Sequence, residues 1–340
     1  MKKKIISMFF GGESKEYKIS LNSLTDIIKV INYKKYTLIL IEISKKGEFI
    51  FHNKINYLKN NFLENSKKNK FSRKRFMKNI IYFMKTDIIF PIIHGNNGES
   101  GEIQGISKLL KIPCVGSSLL SSSICFNKDI TKIILKNFGI LVSPFLIFNK
   151  KDNKKKILEY SIKKLGFPLI IKPNNQGSSI GVNKAIKKKE LKFSINQAFK
   201  YSNKILIEKF IDGKEIEVAI LGNEKIKVSL CGEIKRDNFI FSYKRKYIKK
   251  KRYIIIPAKI KKKINKKIKF LSKKIYKILE CKSMARISFF IKKNKIIFNE
   301  INTIPGLYKT SIYSSLWKYS GLKYKNLINK IINLSIKNEK

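Results

Sequence analysis

Four short segments carry residue types that could do chemistry together. In the first, Lys172 precedes Gly177-Ser178-Ser179-Ile180-Gly181. Small residues let backbone N–H groups close on phosphate oxygens, and a lysine adds charge. No Gly-Lys-Ser/Thr follows, so this is not a Walker A loop; an ordinary turn is the alternative. The same letters spell Gly-x-Ser-x-Gly around Ser179, but a nucleophile elbow needs an acid and then a histidine downstream. The chain's two histidines, His52 and His94, both lie upstream, which excludes that hydrolase. The second segment holds Arg286, Ser288, Glu300 and Asn302. Alternation along a strand puts Arg286 with Ser288 on one face, and Glu300 with Asn302 on one face. A carboxylate and an amide two residues apart offer oxygens that suit Mg²⁺ with a nucleotide. A surface ion-pair patch is the other reading. Thr303-Ile304-Pro305-Gly306 follows, a turn whose backbone can approach a ligand. The third segment, Gly11-Gly12-Glu13-Ser14-Lys15-Glu16, offers Glu16 either to an ammonium group or to a helix dipole. The fourth is His94-Gly95 and the loop to Glu99; a lone histidine is more often a packed or capping residue.

These residues need a scaffold. Ile5 to Phe10 reads as a strand, stopped by glycines and followed by a helix through Ile19, Leu24, Ile27 and Ile31. Strand, glycine turn and helix open an α/β unit. Further strands are expected at 36–43, 86–93 and 113–116. The 86–93 strand runs into the His94 loop, and ligands of open α/β sheets sit at strand carboxyl ends. Helices are expected at 129–138, 157–165 and 191–199, with strands at 145–148, 167–173 and 205–210. From Glu215 the pattern turns β-rich. Helix 264–279 and an antiparallel pair, 284–291 with 295–301, follow, then helices past Tyr313. Residues 53–78 read as a loop with some helix, and 238–257 as a mobile lid.

Lys and Arg number 75 against 23 Asp and Glu, a formal net charge of +52. Only six of the 75 are Arg, the residue that base edges and bidentate phosphate contacts favour. The excess of Lys, Ile and Asn over Ala, Gly and Pro follows AT-rich codons, so the charge reads as drift on solvated faces rather than a polyanion-binding surface. The four cysteines form no CxxC pair, which argues against a zinc site and for a reducing compartment. No apolar run approaches 18 residues, so no membrane span is expected. The N-terminal apolar run is too short for a signal peptide. The cytoplasm is the expected location.

In order, Gly11-Gly12…Glu16, His94-Gly95…Gln104-Gly105, Lys172-Pro173…Gly181, Lys246-Tyr247 and Arg286…Glu300-Ile301-Asn302-Thr303…Pro305-Gly306 resemble the D-alanine–D-alanine ligase family. That family consists of ATP-grasp enzymes of peptidoglycan precursor synthesis. The resemblance covers nearly the whole chain and is weakest from 47 to 85. It implies an α/β (α+β) ATP-grasp fold in three pieces: an open N-terminal domain (1–116), a central nucleotide-clamping subdomain (117–207) and a β-rich C-terminal subdomain (208–340). The implied reaction ligates two D-alanine molecules through a D-alanyl phosphate. Lys128 and Lys172 resemble the lysines on the ATP phosphates. Glu208, Lys209, Phe210 and Ile211 resemble the adenine-side hinge, and Glu215 the ribose contact. Glu16 resembles the carboxylate that orients the first D-alanine's ammonium, linked to Ser178 and Tyr247. Lys246 resembles the lid lysine that reaches the γ-phosphate. Arg286 and the Gly306 N–H resemble the oxyanion site. Ser311 resembles the holder of the second D-alanine's carboxylate, and His94 the substrate-side histidine. Glu300 and Asn302 resemble ligands of two Mg²⁺ (or Mn²⁺) ions. The family is usually a homodimer, and neither nucleic acid nor membrane is an implied partner.

The chain departs from the pattern at Ser288, where the family carries a metal-binding Asp; a hydroxyl is the weaker ligand for a hard cation. Ser100 and Asn97 also depart, from a usual Asp and a common Gly. The competing readings are a decayed enzyme that still binds nucleotide, a ligase with another acceptor such as D-lactate, and a nucleic-acid-binding protein.

Overall fold

The computed structural model describes residues 2–52, 69–71, 85–235 and 253–336. Its first strand is apolar on both faces, as a strand covered on both sides must be. That strand, β1 (Lys4–Gly11), is buried from Ile6 onward. Gly11 ends it with φ 86°, and a Cβ there would lie 2.4 Å from the Ile43 carbonyl oxygen, so only glycine fits. α1 (Tyr17–Ile28) follows and buries Leu24, Ile27 and Ile28 against the sheet. β2 (Tyr36–Ile43) runs parallel to β1 with Lys4 opposite Tyr36. β3 (Phe49–His52) and β4 (Asn69–Phe71) add antiparallel strands outward. β5 (Ile88–Pro91) lies parallel on the other side of β1. The sheet order is β4-β3-β2-β1-β5. The strand expected at 113–116 reduces to a single bridge between Ile89 and Cys114. α2 (Glu102–Leu109) packs nearby.

Two helices then abut. α3 (Leu119–Phe126), absent from the sequence reading, starts at Ser118, whose hydroxyl accepts from the Ser121 N–H. Asn127, with an extended ψ of 103°, breaks it from α4 (Lys128–Asn137). β6 (Phe145–Asn149), α5 (Lys154–Leu165), β7 (Leu169–Pro173), β8 (Asn183–Ala185), α6 (Lys188–Ala198) and β9 (Lys204–Lys209) form the second layer pair. Its four strands are antiparallel in the order β6-β9-β7-β8.

The third sheet takes β10 (Lys214–Leu221), β11 (Lys227–Val228), β12 (Gly232–Lys235), β13 (Tyr253–Ile255), β14 (Met284–Lys292) and β15 (Lys295–Asn302). β10 is central, between β12 and β14. α7 (Lys262–Ile278) turns Ile264, Ile268, Ile275 and Tyr276 onto this sheet and its lysines to water. α8 (Ile312–Tyr319) and α9 (Tyr324–Ile336) close the chain.

The cores tie the layers together. α8 and α9 pack with β1, α1 and residues Ala219, Leu221 and Met284 of the third sheet. α4 contributes Leu135 to the core under the third sheet, although the chain next enters the second. α4 therefore touches both sheets, through Leu135 on the third and Lys132 at Glu208 of β9 on the second. Between β14 and β15 the register is Arg286 with Asn302 and Ser288 with Glu300, and then it slips to Phe289 with Phe298. Asn299 is the extra residue, a β-bulge. Before it Ile296 and Phe298 face the core, and after it Ile301 does.

Candidate active site

The three sheets meet around a cavity of about 400 Å³. Its floor holds Lys128, Lys172 and Glu208, with a third lysine buried behind them. Lys172 stands near the end of β7, and its Nζ lies 2.6 Å from Glu208 Oε2. Lys132, on α4, reaches the other oxygen, Glu208 Oε1, at 2.9 Å. Burial alone would raise the Glu208 pKa, but Lys132 and Lys172 together hold it down at about 2. Lys128, one turn before Lys132, donates to the Gln176 carbonyl at 2.6 Å. Burial pushes the pKa of both Lys128 and Lys132 down, and nearby carboxylates oppose that.

The loop after β7 is pinned to the start of α4. Asn174 accepts from the Asp129 N–H at 2.9 Å and donates to Asp129 Oδ1 at 2.6 Å. Ser178 and Ser179 then take left-handed backbone, φ 51° and 58°. Ser178 Oγ donates to Glu16 Oε1, which joins the loop to the first domain. A Cβ at Gly177 would sit 2.8 Å from Glu16 Oε2, so a larger residue there would push the Glu16 carboxylate aside.

Along the outer edge of the cavity the Lys209 N–H donates to Pro144 O at 2.9 Å, and Phe210 N–H to Pro168 O at 3.0 Å. Lys209 Nζ donates to the carbonyls of Gly166 and Phe167. Phe210, Ile211 and Glu215 line the same edge. The hinge residues named from the sequence are therefore assembled here.

The opposite end is acidic. Glu16 precedes α1, and Ser14 Oγ donates to the His94 carbonyl at 2.8 Å. His94 Nδ1 is 3.1 Å from Ile304 O, and Glu99 Oε1 is 3.9 Å from the same nitrogen. Burial alone would lower the His94 pKa; Glu99, Glu16 and the Ile304 carbonyl outweigh it and raise it. Its Nε2 is buried without a hydrogen-bond partner among the described residues. Gln104 holds the loop through the Gly98 carbonyl at 2.9 Å. The two departures in this loop now have accounts. Asn97 takes φ 74°, a backbone that asparagine tolerates and glycine favours. Ser100 accepts from the Asn97 N–H at 2.9 Å and donates to Glu102.

The third wall is a row across β10, β14 and β15: Glu217, Ser288 and Glu300 are direct register neighbours. Arg286 Nε lies 3.2 Å from Glu217 Oε2. Burial works against the guanidinium charge, and Glu217, Glu300, Glu99 and Glu215 outweigh it, raising the pKa. Asn299, carried by the bulge, donates to Ser288 Oγ at 3.0 Å. Gly306 and Ser311 complete the wall, and Ser311 caps α8 by accepting from the Ser314 N–H. Among the described residues no group of three or more His, Cys, Asp or Glu could hold a metal ion. The oxygens of Glu300 and Asn302 still fit a magnesium ion that takes its remaining ligands from phosphate and water. Lys246 and Tyr247 lie outside the described residues.

The cavity thus collects every other residue singled out from the sequence, except that Ser288 sits just beneath its surface. Lys132, Glu217 and Asn299 were missed. Lys132 had one signal, its place on the buried face of α4 with Leu135, where a lysine is out of keeping.

Comparison with known proteins gives a consistent picture. The family model described as D-ala D-ala ligase N-terminus matches residues 5–117, and the one for the C-terminus matches 134–333. A D-alanine–D-alanine ligase of Wigglesworthia glossinidia brevipalpis is 49% identical, over 98% of this chain and 99% of that protein. The crystal structure of a D-Ala:D-Ser ligase from Enterococcus faecalis superimposes with a TM-score of 0.86 at 33% identity, over 98% of this chain and 100% of that one. A Bacillus anthracis D-alanine–D-alanine ligase complexed with ATP gives a TM-score of 0.75 at 25% identity, covering 98% and 97%. No described helix is long and apolar enough to cross a membrane.

Proposed function

The chain belongs to the D-alanine–D-alanine ligase family, and on that premise we propose that it joins two D-alanine molecules into D-alanyl-D-alanine with ATP, in the cytoplasm, for peptidoglycan precursor synthesis. The observation that carries this reading is one cavity with a cationic floor, an acidic end and an arginine wall, each drawn from a different sheet.

A free carboxylate is a poor acyl donor, so the first D-alanine is phosphorylated before it is joined. Lys128 and Lys172 neutralise the phosphates in that transfer. Glu208, Lys209, Phe210 and Ile211 take the adenine side, and Glu215 the ribose. Glu16, held by Ser178, orients the first ammonium group, and His94 lines the same end. Glu300, Asn302 and more weakly Ser288 would hold Mg²⁺, which when bound draws charge from the phosphoryl oxygens. Ser311, at the start of α8, holds the second D-alanine's carboxylate where the helix dipole favours an anion. That D-alanine attacks as a free amine, and Arg286 with the Gly306 N–H stabilises the oxyanion. Lys246 and Tyr247 complete the set as lid groups that exclude water. The pieces 1–116, 117–207 and 208–340 are the working domain limits, and two copies pair as a homodimer.

The deciding experiment measures phosphate release from ATP with D-alanine, titrated with Mg²⁺, with L-alanine as control and D-serine as a second acceptor. D-Alanine-dependent release that yields D-alanyl-D-alanine by mass is expected. A folded protein that binds ATP but releases no phosphate at any Mg²⁺ concentration would overturn the reading.

A further inference from the structure

Lys132 has no place in the reaction as described, yet it is among the most buried large side chains of the protein. It is 1% exposed, and its Nζ sits 2.9 Å from Glu208 Oε1, 3.4 Å from Ser143 Oγ and 5.8 Å from the centre of the Phe298 ring. It does not line the cavity. A lysine buried this deeply is retained against a desolvation cost, so its partner matters. That partner, Glu208, is 4% exposed and shares its second oxygen with Lys172, which does line the cavity.

Across this cluster Lys132 stands behind Glu208, and Glu208 and Lys172 both line the cavity. With one carboxylate between two ammonium groups, the cluster carries a surplus of one positive charge, and the surplus faces the cavity. Without Lys132 the Glu208 charge would cancel that of Lys172. An incoming phosphate would then compete with a buried carboxylate that has no other cation at this contact. In a low-dielectric site such a competitor is felt strongly.

We propose that Lys132 is a positioning residue for nucleotide binding: it neutralises Glu208 from behind, so that Lys172 presents its full charge to the ATP phosphates. Lys132 touches no substrate itself. The inference rests on the nucleotide part of the proposed function and is independent of which acceptor is used.

The test is equilibrium binding of ATP to the full-length protein without D-alanine, together with steady-state KM for D-alanine where activity is present. Lys132→Met should raise the ATP Kd at least about tenfold and leave the D-alanine KM within about threefold. Lys132→Arg, which keeps the charge, should restore the ATP Kd to within about threefold of the parent. The double variant Lys132→Met/Glu208→Gln leaves no uncompensated charge at this contact, so it keeps the test open if the single variant does not fold. It should bind ATP within about threefold of Glu208→Gln alone, because the two effects are coupled. A folded Lys132→Met variant with an ATP Kd within twofold of the parent overturns the inference. So does an equal tenfold loss in the Glu208→Gln background, and so does a parallel rise of the ATP and D-alanine constants. A parent that binds ATP but forms no dipeptide overturns only the ligase reading, whereas a parent that binds no ATP overturns both.

Discussion

The two ends of the cavity are built on opposite charge plans. At the floor and just behind it stand three lysines and one carboxylate, and each lysine is already occupied: Lys132 and Lys172 with Glu208, Lys128 with a backbone carbonyl. At the first domain, two carboxylates, Glu16 and Glu99, flank one histidine. A triphosphate suits the first and an amino acid's ammonium group the second. The overall charge of +52 has no part in this contrast, since it would treat both ends alike. What selects a ligand here is the local surplus left after buried groups have paired. Surface lysines add a screened, long-range field that favours anions in general.

If the plan is right, damage at one end should leave the other intact. The largest effect is expected at the floor. Lys172→Met should lower kcat/KM by roughly a thousandfold, since it removes charge stabilisation where the phosphoryl group moves. Single-turnover kinetics at saturating ATP would locate the loss in that step, and an unchanged rate would break the contrast. Next comes Glu16→Gln. Losing a charged hydrogen bond of about 2 kcal/mol should raise the D-alanine KM roughly thirtyfold. The ATP Kd, measured in parallel, should stay within about twofold.

Stability should respond to pH in opposite senses at the two ends. The His94 pKa is raised on folding, so its contribution is complete below its unfolded value and is lost as pH rises through the folded one. Glu208 falls from 4.5 to about 2, so its contribution is present above 4.5 and is lost as pH drops toward 2. Thermal unfolding across pH should show His94→Gln flattening the alkaline side alone and Glu208→Gln the acid side alone. The smallest effect is at Ser288, where a carboxylate worth about 1 kcal/mol of ion binding should cut the Mg²⁺ requirement roughly fivefold. A Ser288→Asp variant that needs as much Mg²⁺ as the parent argues that Glu300 and Asn302 already suffice.

The fold was most legible where pattern and burial coincide. β2 was read to the residue, because Tyr36–Ile43 is an apolar run broken only by Thr37 and Glu42. The β14–β15 pairing was read as well, so Arg286, Ser288, Glu300 and Asn302 were grouped correctly. α3 was missed because three consecutive serines, Ser121, Ser122 and Ser123, look like a linker, while two of them are in fact buried. Strand 113–116 was overcalled since a short apolar run cannot show whether it has a partner along its whole length. Lys132 was invisible for a different reason. Among so many lysines, residue type carries almost no information, and only the phase of α4 distinguishes the buried one from its solvated neighbours. The glycine-rich loop stood out in the sequence as a candidate phosphate cradle, but its tie to Glu16 joins positions 162 apart in the chain. No local pattern reports that distance.

The bulge at Asn299 bears on how this gene can change. It shifts the numbering parity of the strand: Ile296 and Phe298 face the core before it and Ile301 after it, while Asn299 and Glu300 both face the cavity. Replacing Asn299 leaves that parity alone and costs at most its bond to Ser288. Losing it by a three-base deletion would close the ladder to regular alternation, with Glu300 still opposite Ser288 and Ile301 still opposite Ile287, and would take away the donor to Ser288. What this position sets is therefore local geometry rather than facing: the extra residue places two polar side chains, Asn299 and Glu300, side by side on the cavity wall.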